Sequence, residues 1–555
     1  MLLALAPLSL VQAQDAGTAG DELRRQQERE RALREQQEQR PDVRLDTRSA
    51  SSLEALPADE SPCFQIDRIV LEGELAEFFR WALKAADPKA DRATGRCLGT
   101  KGVGVVMKRV QNAIVARGYV TTRVLAAPQD LTRGTLSMTV VPGRIRVISF
   151  ADGTDPRVTY RNAVPAKAGD LLQLRDIEQA LENFQRLPTV AADIQIVPAE
   201  GDDAMPGESD LVIAFQQRAV QRVGITLDDS GSEATGKLQA GITASLDNLT
   251  GASDMAYVNL GHDALNDTGR GTQSWTAHWD VPFGYWQLGA TASSYDYHQA
   301  VAGPYETYVY SGSSDNADLR LSRMLFRSAT SKFGVFGRGW MRKSDNFVDD
   351  TEIEVQRRRT AGWEAGFTYR QFAGPATLDA NVSYRHGTGA FDTLESPEQP
   401  FGEGTSRMKV ISADAQLTLP FQLDKQRFRY TGSWRAQWND DTPLVPQDRF
   451  AIAGRFTVRG FDGDVSLTGD RGWLIRNDLG MTLGGGQELY VGADYGRVGD
   501  RTQWKLGDHL AGAVIGLRGG WMGGYWDLFF GAPLDKPRHY PAASVTTGFS
   551  LNWSF

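Results

Sequence analysis

The sequence predicts a transmembrane β-barrel of about sixteen antiparallel strands, preceded by two small α/β domains and an N-terminal polar helix. Three observations carry this expectation. From residue 219 to the end the helical period vanishes, and strands of roughly ten residues alternate polar and apolar side chains, with rings near their ends. Upstream, residues 62–142 and 143–218 repeat one pattern of strands and helices. Outside the extreme N-terminus, no apolar run reaches the length of about 18 residues that a spanning helix needs.

Composition agrees. The 555 residues are 41% hydrophobic with a mean hydropathy of −0.37, too polar for a helical membrane protein. The 58 glycines exceed the usual share of about 7% and favour a turn-rich β protein. A net charge of −9 argues against a nucleic-acid binder.

The elements follow in order. "MLLALAPLSLVQAQD" carries an apolar stretch and then Val11-Gln12-Ala13, which reads as a signal peptide spanning 1–13 and cut after Ala13. It lacks a basic n-region, so the start codon is placed late or the front is trimmed; a short buried hydrophobic segment is the alternative. Residues 14–40 contain "DELRRQQERERALREQQEQR", strongly helix-forming, with Arg24–Glu28, Glu30–Arg34, Arg31–Glu35 and Arg34–Glu38 as opposite charges four apart. A helix polar all round needs water or polar walls. It is either a solvated arm or a helix lodged in a polar channel. Residues 41–61 read as a linker.

Domain 62–142 runs β-α-α-β-β. "CFQIDRIVLEG" is a strand, and "LAEFFRWALKAA" puts Leu75, Phe78, Phe79, Ala82, Leu83 and Ala86 on one helical face. A second helix over 101–117 carries Val103, Val106, Met107, Val110 and Ile114 and stops at Gly118. Two strands close the domain. Domain 143–218 repeats this more weakly, with Ile177, Leu181 and Phe184 facing inward on its helix. The two cysteines, Cys63 and Cys97, suggest a disulfide in an exported chain; two free thiols are the alternative.

In the barrel, 219–555, Trp275, Ala277, Trp279, Val281 and Phe283 oppose Ser274, Thr276, His278 and Asp280. Trp363, Phe367 and Tyr369 oppose Glu364, Thr368 and Arg370, and Trp434 and Trp438 oppose Arg435 and Gln437. Charges on one face and rings on the other fit a wet lumen and a lipid exterior. In a bilayer every backbone group must be paired, which requires closure. The chain ends in "VTTGFSLNWSF". Its Phe549, Leu551 and Trp553 face lipid, its Ser550, Asn552 and Ser554 face the lumen, and it pairs with the first strand near "QRVGITLDDSG".

Most connections are short. The exception, about 440–470, holds "RFTVRGFDGD", and a long loop in a compact domain is usually functional. Farther on, "ELYVGADYGRVG" places Leu489, Val491 and Ala493 toward lipid and Tyr490, Gly492, Asp494 and Gly496 toward the lumen. Asp494 is a carboxylate on a glycine-lined wall, where another chain can approach closely. Arg459 is the candidate cation for it; a solvated turn arginine is the alternative.

These features together resemble the two-partner secretion transporters, the haemolysin and filamentous-haemagglutinin exporters of the bacterial outer membrane. The resemblance covers essentially the whole mature chain and rests on the two modules, the Val-Arg-Gly-aromatic loop and the Gly-Ala-Asp-x-Gly strand. It implies polypeptide-transport-associated domains in the periplasm, a plug helix in the resting pore, and a loop folded into the lumen. It implies that Arg459 at the loop tip, with Val458, Gly460 and Phe461, pairs with Asp494. Phe461 departs from the tyrosine often found there. The resemblance also implies a disulfide between Cys63 and Cys97, and a C-terminal strand of Phe549, Leu551, Trp553 and Phe555 that barrel-assembly machinery reads as an assembly signal.

The partners implied are a large secreted exoprotein with an N-terminal secretion domain, outer-membrane lipids and the assembly machinery. No nucleic acid, cofactor or metal is expected, and the chain is read as a monomer. No nucleotide-binding, Gly-x-Ser-x-Gly or His-Glu-x-x-His motif occurs, so no catalytic role is expected. Two rivals are an insertase for other barrels and a passive porin; residues 63–218 argue against the porin.

Overall fold

The computed structural model describes residues 8–38, 41–45, 54–265, 269–499 and 507–555, with the side chains of the first helix described from Ala19 on. Of the expected signal peptide, residues 1–7 lie outside the described residues, and 8–13 form the first turns of helix α1 (Leu8–Gln37). Residues 39–40, and 46–53 of the expected linker, also lie outside them.

The first module differs in two ways from the pattern read off its sequence. The expected single strand is split into Phe64–Ile66, which pairs with Arg96–Leu98, and Arg68–Glu72, which runs parallel to Thr135–Val141. The break is at Asp67, whose backbone N–H, like that of Arg68, donates to the Gly134 carbonyl. The expected first helix is likewise broken, into α2 (Ala76–Phe79), a 3-10 turn and α3 (Leu83–Ala86). Leu75 sits outside it at φ 62, and Phe78 is 48% exposed, while Phe79, Ala82 and Ala86 are buried. A helix this short follows its tertiary contacts rather than an ideal period. Helix α4 (Thr100–Ala116) buries Val106, Val110 and Ile114, leaves Val103 and Met107 partly buried, and ends before Gly118 at φ +100. Cys63 and Cys97 are joined by a disulfide across the short strand pair, closing a separation of 34 residues.

The second module is a three-stranded sheet in which Glu208–Gln217 is central, parallel to Arg144–Phe150 and antiparallel to Val190–Pro198. Helix α5 (Leu174–Gln185) covers it with Ile177, Leu181 and Phe184 inward. Its other face is buried too: Glu178 is fully enclosed and Asn183 nearly so. A polar face that is buried must meet a polar partner, and here that partner is the barrel.

The barrel has sixteen long strands in one antiparallel ring from Gln221–Asp228 to Thr546–Ser554, with Thr351–Glu352 extending one hairpin. The last strand closes on the first through Ser550↔Asp228, Leu551↔Leu227 and Trp553↔Ile225, and Phe555 and Val223 exchange both backbone hydrogen bonds. Large apolar side chains such as Ile242, Leu260, Phe367, Val491, Leu528 and Phe530 are exposed on the outer face. Connections beside the second module are short, such as 284–285, 374–375 and 522–523; those at the opposite end are long, including 389–408 and 440–470. Among the described residues no helix is long and apolar enough to cross a membrane.

Candidate functional site in the barrel lumen

The long loop turns back into the barrel. A short hairpin, Phe450–Ile452 against Leu467–Gly469, forms its stem. At the tip, Gly454 and Gly463 pass so close that a side chain on Gly454 would lie 3.1 Å from the Gly463 Cα. Ile452, Val458, Phe461 and Leu467 pack with the wall residues Leu474, Val498 and Leu510 and with Tyr540 into a small apolar cluster. The Phe461 ring meets the Tyr540 ring edge to face at 5.7 Å. This apolar seat has a place for a phenyl ring without a hydroxyl.

Arg459 stands at the apex of the tip and is 4% exposed; Asp494 is 3% exposed. The Arg459 backbone N–H donates to Asp494 Oδ2 at 3.0 Å, its Nε donates to the same oxygen at 2.7 Å, and its Nη2 donates to Oδ1 at 2.8 Å. Nη2 also donates to Asp478 Oδ1 at 2.6 Å. One buried fork thus spans two strands of the wall, Arg471–Thr482 and Gln487–Gly499.

The approach depends on missing side chains. A Cβ on Gly492 would lie 2.7 Å from Arg459 Nη2, and one on Gly496 would lie 2.9 Å from both Ile452 and Val458 side chains. A Cβ on Gly512 would overlap the Arg459 carbonyl, and one on Gly531 would lie 2.9 Å from the Gly460 Cα. Gly460 itself has φ +98, and a Cβ there would lie 2.5 Å from the Ala532 carbonyl oxygen. Three adjacent strands therefore cradle one loop tip, and a fourth supplies Asp478.

Helix α1 lies in the lumen beside the loop, in contact with both the wall and the loop. Glu22 is fully buried, accepts from Tyr295 Oη at 2.8 Å and Ser232 Oγ at 2.8 Å, and pairs with Arg25. Arg25 donates onward to the Gly463 carbonyl at 2.7 Å, and Arg24 to that of Pro446, so the helix touches the loop. Lower down, Glu28 pairs with Arg435 at 2.8 Å, and Gln37 Oε1 accepts from Arg222 at 3.2 Å and Ser245 at 3.1 Å. Of the four expected charge pairs along the helix, Arg31–Glu35 and Arg34–Glu38 form, at 3.1 and 3.7 Å. Arg24 turns to Asp21 instead, Glu28 to the wall, and Glu30 accepts from Gln26. Only Glu28 thus exchanges an intrahelical partner for one on the wall, while Arg24 and Glu30 find other partners on the helix itself.

Residues 207–519 match the family described as haemolysin secretion/activation protein ShlB/FhaC/HecB. Residues 64–143 match a ShlB-type POTRA domain and residues 144–198 a POTRA domain. This chain belongs to the haemolysin secretion/activation family. It is similar to outer membrane transporter CdiB-2 of Burkholderia pseudomallei (strain 1026b), with 36% identity over 550 residues, covering 96% of this chain and 93% of that protein. It superposes on CdiB from Acinetobacter baumannii with a TM-score of 0.84 at 31% identity, covering 98% and 99% of the two chains. CdiB from Escherichia coli gives 0.86 at 22% identity over 100% of both chains, which shows a shared fold. The chain is an outer-membrane transporter of the two-partner secretion type, a POTRA-bearing barrel.

In this transporter the second POTRA module is clamped to the barrel. Arg327, at a short barrel turn, pairs with Glu178 at 3.0 Å and Glu182 at 2.7 Å on α5 and donates to the Val43 carbonyl at 2.7 Å. Lys332 adds Asp42 at 3.1 Å and Glu182 at 2.5 Å. The strap 41–45 runs in the same clamp, since Val43 and Leu45 N–H groups donate to Glu182 and Glu178 at 3.0 and 2.8 Å. Burial favours the neutral form of Glu182, but Arg327 and Lys332 outweigh it and hold the carboxyl below its ordinary pKa.

Sequence reasoning missed Asp478, Gly512, Gly531 and the clamp. Asp478 carried a signal, since it lies an even number of residues from Asp494 Cα partner Arg476 and so shares its lumen side. The clamp carried none: Glu178 and Glu182 read as the solvated side of an amphipathic helix.

Proposed function

We propose that this transporter moves a large, unfolded exoprotein, such as an adhesin, a haemolysin or a contact-dependent toxin, from the periplasm to the cell surface. The POTRA modules lie in the periplasm and receive the client's N-terminal secretion domain by adding a strand to an open sheet edge. The client then threads the lumen after α1 leaves, and folding outside makes return improbable. The observation that carries this reading is the way α1 sits. It is held in the lumen through separate polar contacts, Glu22 with Tyr295, Glu28 with Arg435 and Gln37 with Arg222, which water can replace one by one as the helix withdraws.

Arg459 is the anchor of the inward loop, with Val458, Gly460 and Phe461 shaping its tip and Asp494, Gly492 and Gly496 receiving it. Phe549, Leu551, Trp553 and Phe555 make the last strand both the closing seam and the signal read by the barrel-assembly machinery. The protein acts as a monomer in outer-membrane lipid, without enzymatic chemistry.

Arg459→Ala is expected to abolish secretion of the partner exoprotein into the medium while the barrel still reaches the outer membrane. Normal secretion by that variant would remove the role assigned to the loop. Conductance in planar bilayers tests the plug: a chain lacking residues 21–38 should be persistently open, and equal conductance of the two chains would discard it.

A further inference from the structure

Where α1 ends, ligating side chains from two elements converge. His278 and Asp280 stand two residues apart on the strand Arg270–Phe283, so they share its lumen face. Glu38 follows the last residue of α1, its N–H still donating to the Arg34 carbonyl at 2.9 Å. His278 Nε2 lies 3.4 Å from Asp280 Oδ2 and 3.5 Å from Glu38 Oε1. All three atoms lie within 4.8 Å of one another. His278 is 9% exposed and Asp280 1%.

The spacing is informative. Zinc binds imidazole nitrogen and carboxylate oxygen at about 2.0–2.2 Å, and a tetrahedron of such bonds has edges of about 3.4 Å. The ring is oriented for the purpose. Thr291 Oγ1 lies 3.0 Å from Nδ1, and Tyr257 stacks on the ring at 5.1 Å, which leaves Nε2 aimed at both carboxylates. An anchored second nitrogen is the usual outer support of a ligating histidine. The outer groups are also in place. Arg186 takes Asp280 Oδ1, Gln287 Nε2 donates to Asp280 Oδ2 at 3.2 Å, and Arg34 stands 3.7 Å from Glu38 Oε1.

We propose that Glu38, His278 and Asp280 form a site for a divalent cation of the zinc class, with water in the fourth position, that staples the C-terminal end of α1 to the barrel wall. The sequence gives no hint of it, because one ligand comes from the helix and two from a distant strand. The binding claim stands on this geometry; only its consequence, a more firmly closed pore, rests on the plug reading above.

The test uses the full chain purified in detergent, stripped with EDTA and titrated with zinc chloride against a chromophoric chelator. One zinc per chain is expected, and Glu38→Gln and His278→Ala should each weaken it by about 100-fold, at the upper end of what outer-shell changes alone cost. A wild type that takes up no zinc at millimolar concentration, or variants that bind as the wild type does, would overturn the site. In planar bilayers, micromolar zinc should lower the open fraction of the wild type, reversibly with EDTA, and leave Glu38→Gln unchanged. Gating that responds to pH but not to zinc would replace the metal by a histidine proton and overturn the proposal. Zinc binding in a chain whose conductance does not change when residues 21–38 are deleted would uphold the site and defeat the plug reading instead.

Discussion

Two polar pieces of this chain enter the same lumen, and they are held by different physics. The tip of the inward loop is seated dry. Arg459 and Asp494 are 4% and 3% exposed, glycines on three neighbouring strands admit the backbone, and an apolar cluster around Phe461 closes over it. Helix α1 is held by contacts spread along its length, enclosed at Glu22 and at Gln37 with Ser245 but part-exposed at Glu28. A buried charge cannot leave its partner without a large desolvation penalty, whereas a half-wet pair exchanges its partner for water at little cost. The difference teaches that a tightly seated loop tip and a more loosely held helix can share one polar channel, distinguished by how much water each excludes.

Four substitutions break or sharpen that contrast. The largest effect is expected from Asp494→Ala, which leaves Arg459 in a dry seat with Asp478 as its remaining carboxylate, at a cost of up to about 3–5 kcal/mol. The loop should leave its cradle, read as new protease cleavage within 440–470 and loss of exoprotein in the medium. Unchanged protection would mean that the apolar cluster alone holds the tip. Next comes Gly512→Ala. Its Cβ would overlap the Arg459 carbonyl, so an overpacking cost of about 1–3 kcal/mol is expected, with the same cleavage pattern in weaker form.

On the helix side, Glu22→Gln keeps one acceptor oxygen where Tyr295 and Ser232 use two, and loses the Arg25 pair. A hydrogen bond to a charged group is worth about 1.5–3 kcal/mol, so the pore should open at least about tenfold more often in single-channel recordings. The smallest effect belongs to Glu28→Gln. Its pair with Arg435 is 28% and 22% exposed at the side chains, worth about 0–1 kcal/mol, and open frequency should rise barely at all. If Glu28→Gln opened the pore as much as Glu22→Gln, the picture of enclosed contacts at Glu22 and Gln37 with a wetter one between them would fail.

The legible and illegible parts of the site divide along physical lines. Asp494 was readable because strand alternation alone assigns it to the lumen, and Gly492 and Gly496 because they share its face. Arg459 was readable as a candidate partner for that carboxylate, with a solvated turn arginine as the alternative, and the resemblance to the secretion family favoured the pair. Asp478, Gly512 and Gly531 were not singled out, since nothing local says which wall residues a distant loop will meet. The expected face of "LAEFFRWALKAA" failed at Phe78, while Leu75 packs against the core from outside the helix, because two short helical turns replace one continuous helix.

What the sequence determined by itself is everything that depends on period. Alternation every second residue made the barrel, its lipid face and its lumen face, and the alternation in "VTTGFSLNWSF" supplied a strand able to close it. Helical spacing in two successive domains made the POTRA modules. Only the tertiary structure decided whether α1 is a solvated arm or a helix in a channel. A helix polar on every side carries no directional pattern, and its place is set by Tyr295, Ser232, Arg435 and Arg222, residues that reach it only after the ring of strands has closed around it.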